Sequence, residues 1–131
     1  MFGYPIILIS LCSVLAVMVY TLLMYWAHRL NTDCIRGKWL HHFAQGELDH
    51  HKGINTGAPL WVHLSLGLLA AIPFVYLSHD FAPLLCALSV SASDRAWHHI
   101  DHIAYHHRQS FTHNYGLGIG AVWDLVFRTY K

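Results

Sequence analysis

Six of the twenty residues in 97–116, WHHIDHIAYHHRQSFTHNYG, are histidine: His98, His99, His102, His106, His107 and His113. If this stretch is helical, His99, His102, His106 and His113 fall within about 60° of one another, on one narrow stripe. Imidazoles spaced i, i+3 and i+4 can converge on one metal ion, and neutral imidazole suits iron, zinc, copper and nickel. A second stretch, 39–53, reads WLHHFAQGELDHHKG and adds His41, His42, His50 and His51 beside the carboxylates Glu47 and Asp49. So many imidazoles exceed what one mononuclear centre uses, and two metal ions are the natural count.

Composition sets the surroundings in which such a centre must sit. The 131 residues read as one domain, 1–131. Hydrophobic residues make up 55% and charged residues only 11%, a balance that points to a membrane protein. A net charge of +1 with no basic stripe excludes nucleic acid as the main partner. Cys12, Cys34 and Cys86 form no C-x-x-C pair, so the expectation is buried free thiols rather than a disulfide framework.

The elements that would carry the histidines follow from the apolar runs. Residues 6–26 contain no charge and would span about 32 Å as a helix, enough to cross a bilayer. A signal peptide would need a positive leading segment and a shorter apolar core. Tyr25 and Trp26, followed by His28 and Arg29, mark the interfacial end of this span. Residues 30–59 are polar and punctuated by Gly37, Gly46, Gly53, Asn55, Gly57 and Pro59, with one short interfacial helix expected near 38–51.

A second apolar run, 60–77, is about 27 Å long if helical and contains Pro73, which membrane helices tolerate. Ser78, His79 and Asp80 form a turn, and Pro83 suits the first turn of a returning helix over 81–97. In that helix Ala87, Ser89, Ser91, Ala92 and Ser93 are small enough for close helix contact. His63 reads as an interfacial polar residue and a minor candidate ligand, and His79 as solvated. The fold class expected is therefore an all-α membrane protein of about three transmembrane helices, one span plus a helical hairpin, with a His-rich cytoplasmic helical cap.

Sidedness provides an internal test. One span followed by a hairpin puts residues 28–59 and 95–131 on the same side of the membrane. Every Lys and Arg lies in those two segments, as do eleven of the thirteen histidines. By the positive-inside rule that side is cytoplasmic. The histidines thus meet at one face, as a shared site requires.

With that arrangement in hand, the motifs resemble those of the fatty acid hydroxylase and sterol desaturase superfamily. The residues that carry the resemblance are His28–Arg29 directly after a membrane helix, the pair His50–His51, and His102-x-x-x-His106-His107. Downstream, Asn114-Tyr115-Gly116 and Trp123-Asp124-x-x-Phe127-x-Thr129 are similar to the family's N-Y-G and W-D-x-x-F-G-T tail. The likeness covers residues 25–129. It implies a non-haem di-iron centre built from histidine boxes, with His28, His42, Glu47, His50, His51, His99, His102, His106 and His107 as metal ligands. Asp33, His41, His98 and His113 are further candidates. Asp49 and Asp101, each beside a ligand, are placed to orient a ligating imidazole, and Asn114 to fix the loop or lie near the metals. Tyr115, Trp123 and Phe127 read as packing and interface residues.

The sequence departs from the family pattern in three of its motifs. Thr32 and Asp33 stand where the first box has its second histidine, Glu47 stands three before His50, and Arg128 replaces the usual glycine of the tail. Asp33 and Glu47 are carboxylates, which can themselves ligate iron.

The resemblance implies two iron ions, O2 as co-substrate, a lipid substrate (fatty acyl, sterol or carotenoid) and an external electron donor, ferredoxin or cytochrome b5-like. The expected location is a bacterial inner membrane or the endoplasmic reticulum. The same boxes serve hydroxylation and desaturation, so both stay open. Alternatives of other classes are a membrane metal-binding or transport protein, a catalytically inactive relative and a bis-histidine haem protein. Transport requires ionisable residues along the spans, and haem requires facing histidines at mid-depth.

Overall fold

The structure, a computed structural model, describes residues 5–37, 58–97 and 118–130; of 31–37, 95–97 and 118 only the backbone is described. Among the described residues there are four α-helices and no strand: α1 (Ile6–Gly37), α2 (Leu60–Ser78), α3 (Ala82–Trp97) and α4 (Ala121–Val126), the last preceded by a 3-10 turn at Gly118–Gly120. Two helices are long and apolar enough to cross a membrane, over Ile6–Leu30 and Leu60–Ser78, and Ala82–Asp94 is a shorter apolar helix.

The first helix runs eleven residues beyond the expected boundary at 26, to Gly37. Hydropathy falls at His28 and Arg29, but no proline or glycine interrupts the backbone before Gly37, so the hydrogen-bond ladder continues into the polar segment. The hairpin between α2 and α3 forms as expected. His79 takes a left-handed conformation (φ 52°) at the end of α2, and Asp80 accepts the Ala82 N–H at 2.7 Å through Oδ1, which caps the start of α3. Helix α2 passes through Pro73 unbroken.

Contacts between the helices fix their directions. Gly67 of α2 lies so close to α3 that a Cβ there would stand 3.0 Å from Ser91 Oγ and 3.3 Å from the Ala87 carbonyl oxygen. Tyr20 of α1 meets His63 near the start of α2, and residues 13–18 of α1 lie level with residues 85–90 of α3. Helices α1 and α3 therefore run in the same direction and α2 in the opposite one. Of the small residues expected to face a neighbouring helix, Ala87 and Ser91 are buried, whereas Ser89, Ala92 and Ser93 face outward. A helix stripe admits positions four apart and excludes those between them.

The distribution of polarity is inverted relative to a water-soluble bundle. Ile6, Ile7, Leu11, Val14, Leu69, Ile72, Leu77 and Leu85 are exposed, and the interior holds Ala16, Ala70, Ala71 and Ala87 together with Tyr20, Thr21, His63, Ser78, Ser91 and Asp94. In water such an outer surface would be a large apolar patch of the kind that marks a membrane or partner contact. The thiols divide between the two environments: Cys12 is buried as expected, while Cys86 is on the outside.

Candidate functional site

The C-terminal end of α1, the N-terminal end of α2 and the C-terminal end of α3 lie at the same end of the bundle. The tail returns there too, since Gly120 and Trp123 sit against Thr21 of α1. The two histidine-rich segments, 38–57 and 98–117, are thus each bounded on both sides by residues at this one end. Of the ligands expected from sequence, His28 falls in the part whose side chains are described. It is buried (8% exposed), one turn beyond Tyr25 on α1. Position 33 continues the same helix, about 140° round from position 28. His41, His42, Glu47, Asp49, His50, His51, His98, His99, Asp101, His102, His106, His107, His113, Asn114 and Tyr115 lie outside the described residues. Among the described residues no three His, Cys, Asp or Glu side chains come together as a metal site.

The tail motif is a clamp on α1 next to His28. The Trp123 indole N–H donates to Thr21 Oγ1 at 3.0 Å. Phe127 stacks on Tyr25, with centroids 5.1 Å apart, and meets Trp26 edge-on at 5.3 Å. Between these aromatic contacts runs a chain of hydrogen bonds. Thr129 Oγ1 donates to Asp124 Oδ1 at 2.7 Å, so it accepts from the Tyr25 hydroxyl at 3.0 Å, and that hydroxyl accepts from Arg29 Nη1 at 3.1 Å. A cation is thereby joined to a buried carboxylate through two hydroxyls, each donating once and accepting once. The Arg29 guanidinium also lies 5.2 Å from the centre of the Trp26 ring. The expected packing role of Trp123 and Phe127 holds, and the hydrogen bonds made by Asp124 and Thr129 are an addition to it.

Arg128, the residue that stands in the glycine position of the tail pattern, has φ 57°. Its N–H bonds the Leu125 carbonyl at 3.3 Å while the Thr129 N–H bonds the Asp124 carbonyl at 2.7 Å. These are the two bonds of a Schellman helix ending, whose left-handed position glycine occupies without strain. Arginine there costs about 1 kcal/mol through its Cβ.

Inside the bundle the structure corrects the reading of His63. It is not an interfacial side chain but is buried (2% exposed), with Nδ1 at 3.1 Å from the Tyr20 hydroxyl. Tyr20 also faces the carboxylate of Asp94 on α3. Asp94 is itself buried, and its Oδ2 has no hydrogen-bond partner among the described residues. One polar group from each of the three long helices therefore meets in the interior. His63 lies one turn from the start of α2 and Asp94 one turn from the end of α3, both towards the histidine-rich end. His79 is exposed at the opposite end, as expected.

An open apolar groove of about 530 Å³ runs between α1 and α3, lined by Val14, Val17 and Met18 on one side and Leu85 and Val90 on the other, with Ile119 of the tail at its edge. Compared with protein-family models, with curated proteins and with solved structures, the chain finds no match.

Proposed function

We propose that the chain is a multi-pass membrane protein that holds two non-haem iron ions at its histidine-rich end. It would use O2 and externally supplied electrons to hydroxylate or desaturate a lipid, in the manner of the fatty acid hydroxylase and sterol desaturase superfamily it resembles. The observation that carries this reading is the meeting of both histidine-rich segments' attachment points at one end of a bundle whose outer surface is apolar. In this arrangement α1 and α2 cross the membrane, and α3 crosses back after the His79–Asp80 turn. The histidine-rich end faces the cytoplasm by the distribution of Lys and Arg.

The donor set fits iron. It combines imidazoles with carboxylates. The Oδ2 of Asp94, buried towards this end without a partner among the described residues, is an oxygen donor of the type such a cation takes. His28, His42, Glu47, His50, His51, His99, His102, His106 and His107 would hold the ions. Bound iron would supply the activation of O2 and the removal of hydrogen from an unactivated C–H bond. The chain's own residues hold, orient and exclude. The tail clamp holds the stretch of α1 that carries His28, through Thr21, Tyr25 and Trp26, and the α1–α3 groove offers an apolar channel of a size suited to an alkyl chain. Electrons would come from a ferredoxin or cytochrome b5-like partner.

A transport reading is less well supported. The buried His and Asp side chains among the described residues, His28, His63, Asp94 and Asp124, all lie towards one end, and no buried His, Asp, Glu, Lys or Arg is described along the rest of the interior towards the other. The experiment is expression in a host with suitable reductants followed by lipid mass spectrometry. The expected result is a lipid that has gained one oxygen or lost two hydrogens. An iron-loaded protein that changes no lipid across acyl, sterol and carotenoid substrates would count against the assignment.

A further inference from the structure

Asp94 is a group that the histidine boxes do not call for. It is 5% exposed, one turn from the end of α3, and its Oδ2 has no hydrogen-bond partner among the described residues. A carboxylate withdrawn from water needs a cation or a proton to neutralise it and donors for its lone pairs. Packing does not explain an acid here. The neighbouring buried positions of α3, Ala87 and Ser91, are small and lie against Gly67, and an amide would occupy the same volume without a charge. The surroundings are also built. Tyr20 from α1 stands between the Asp94 carboxylate and Nδ1 of His63 from α2, and its single O–H can serve either. Beyond Asp94 the chain leads within four residues into the segment that carries six histidines.

We propose that Asp94 is an oxygen ligand to a metal ion bound at this end of the bundle, and that Tyr20 is a positioning residue that holds the carboxylate and the His63 ring in fixed relation. The inference rests on the reading of the chain as a metalloprotein and adds to it a ligand from inside the bundle. Imidazole with carboxylate is the mixed donor set that suits iron, and a carboxylate contributes negative charge that a set of neutral imidazoles lacks. It would also offset the missing histidines of the N-terminal boxes, where Thr32 and Asp33 follow His28 and Glu47 precedes His50.

The test uses the full chain in lipid nanodiscs, with ferrous iron as the metal and cobalt(II) as a spectroscopic probe. Asp94→Asn removes the charge and keeps the shape. The metal-free variant should melt at a higher temperature than the metal-free wild type, because an unpaired buried charge is gone. Its affinity for one of the two ions should fall at least tenfold, with a smaller rise in melting temperature on metal addition and a changed cobalt(II) visible spectrum. Opposite signs in the metal-free and loaded forms are not expected of a residue that only packs. Tyr20→Phe should keep the metal count and shift the spectrum.

Unchanged affinity and spectrum in Asp94→Asn would overturn the proposal and show that a proton neutralises the group. A wild-type protein that binds no metal would overturn both this proposal and the di-iron reading, whereas two ions bound equally by both forms would overturn this one alone. Should Asp94→Asn fail to fold, Asp94→Glu retains the carboxylate in a displaced position. It must then bind metal with an altered spectrum, and an unaltered one refutes the assignment.

Discussion

Replacing Thr129 by Val removes the hydroxyl that joins Tyr25 to Asp124 while leaving the shape of the side chain almost unchanged, so no cavity term enters. Thr129 is 8% exposed and Asp124 1%. The lost bond ends on a buried carboxylate, and hydrogen bonds to charged groups contribute about 1.5–3 kcal/mol. Asp124 keeps other contacts, which puts the expected cost at the low end, about 1.5 kcal/mol. Tyr25→Phe removes a neutral bond to Thr129 and the acceptor of Arg29. Arg29 is only partly buried and water can replace that acceptor, so the expected cost is about 1 kcal/mol.

The two changes share the Tyr25–Thr129 bond and cannot be additive. The double variant should lose about 1.5–2 kcal/mol, less than the sum, with a coupling of about 0.5–1 kcal/mol. Unfolding in mixed micelles titrated with a denaturing detergent, followed by far-UV circular dichroism, measures all four corners of the cycle. Additive effects, or a Thr129→Val protein as stable as the wild type, would refute the clamp as the element that holds the tail on α1.

Two further outcomes follow from backbone and packing. Arg128→Gly should stabilise the protein by about 1 kcal/mol, because the left-handed position at φ 57° no longer carries a Cβ; the same unfolding titration checks it, and a loss of stability would show that the Arg128 side chain contributes more than the strain costs. Gly67→Leu should destabilise by about 1–3 kcal/mol, since even a Cβ at this position stands 3.3 Å from the backbone carbonyl of Ala87. Separation of α2 from α3 can be read as a loss of cross-linking between cysteines introduced across the hairpin.

The two long apolar helices and the hairpin were legible from residues alone. The uncharged run from Ile6, the turn at Ser78–Asp80 and Pro83 at the start of the returning helix are local signals, and each appears in the fold where the sequence puts it. The continuation of α1 to Gly37 was missed because hydropathy marks where a membrane ends, not where a helix ends; only the absence of proline and glycine pointed to it. The tail was legible as packing, yet its partners Thr21 and Tyr25 lie 102 and 104 residues away in the chain, and no local pattern reports such a pairing. The meeting of Tyr20, His63 and Asp94 is long-range in the same way. An aspartate late in an apolar helix was nevertheless a visible sign, because burying a carboxylate is costly unless something answers its charge. For the histidine boxes themselves, the structure contributes the common end at which their segments begin and finish.

The central claim is that this end holds two iron ions. Iron per chain, measured by elemental analysis together with the visible spectrum on protein purified from iron-supplemented cells, tests it most directly. The account predicts two non-haem irons in the wild type and loss of iron in His106→Ala and His107→Ala. Iron retained at two per chain in either variant, a wild type without iron, or a Soret band would contradict it.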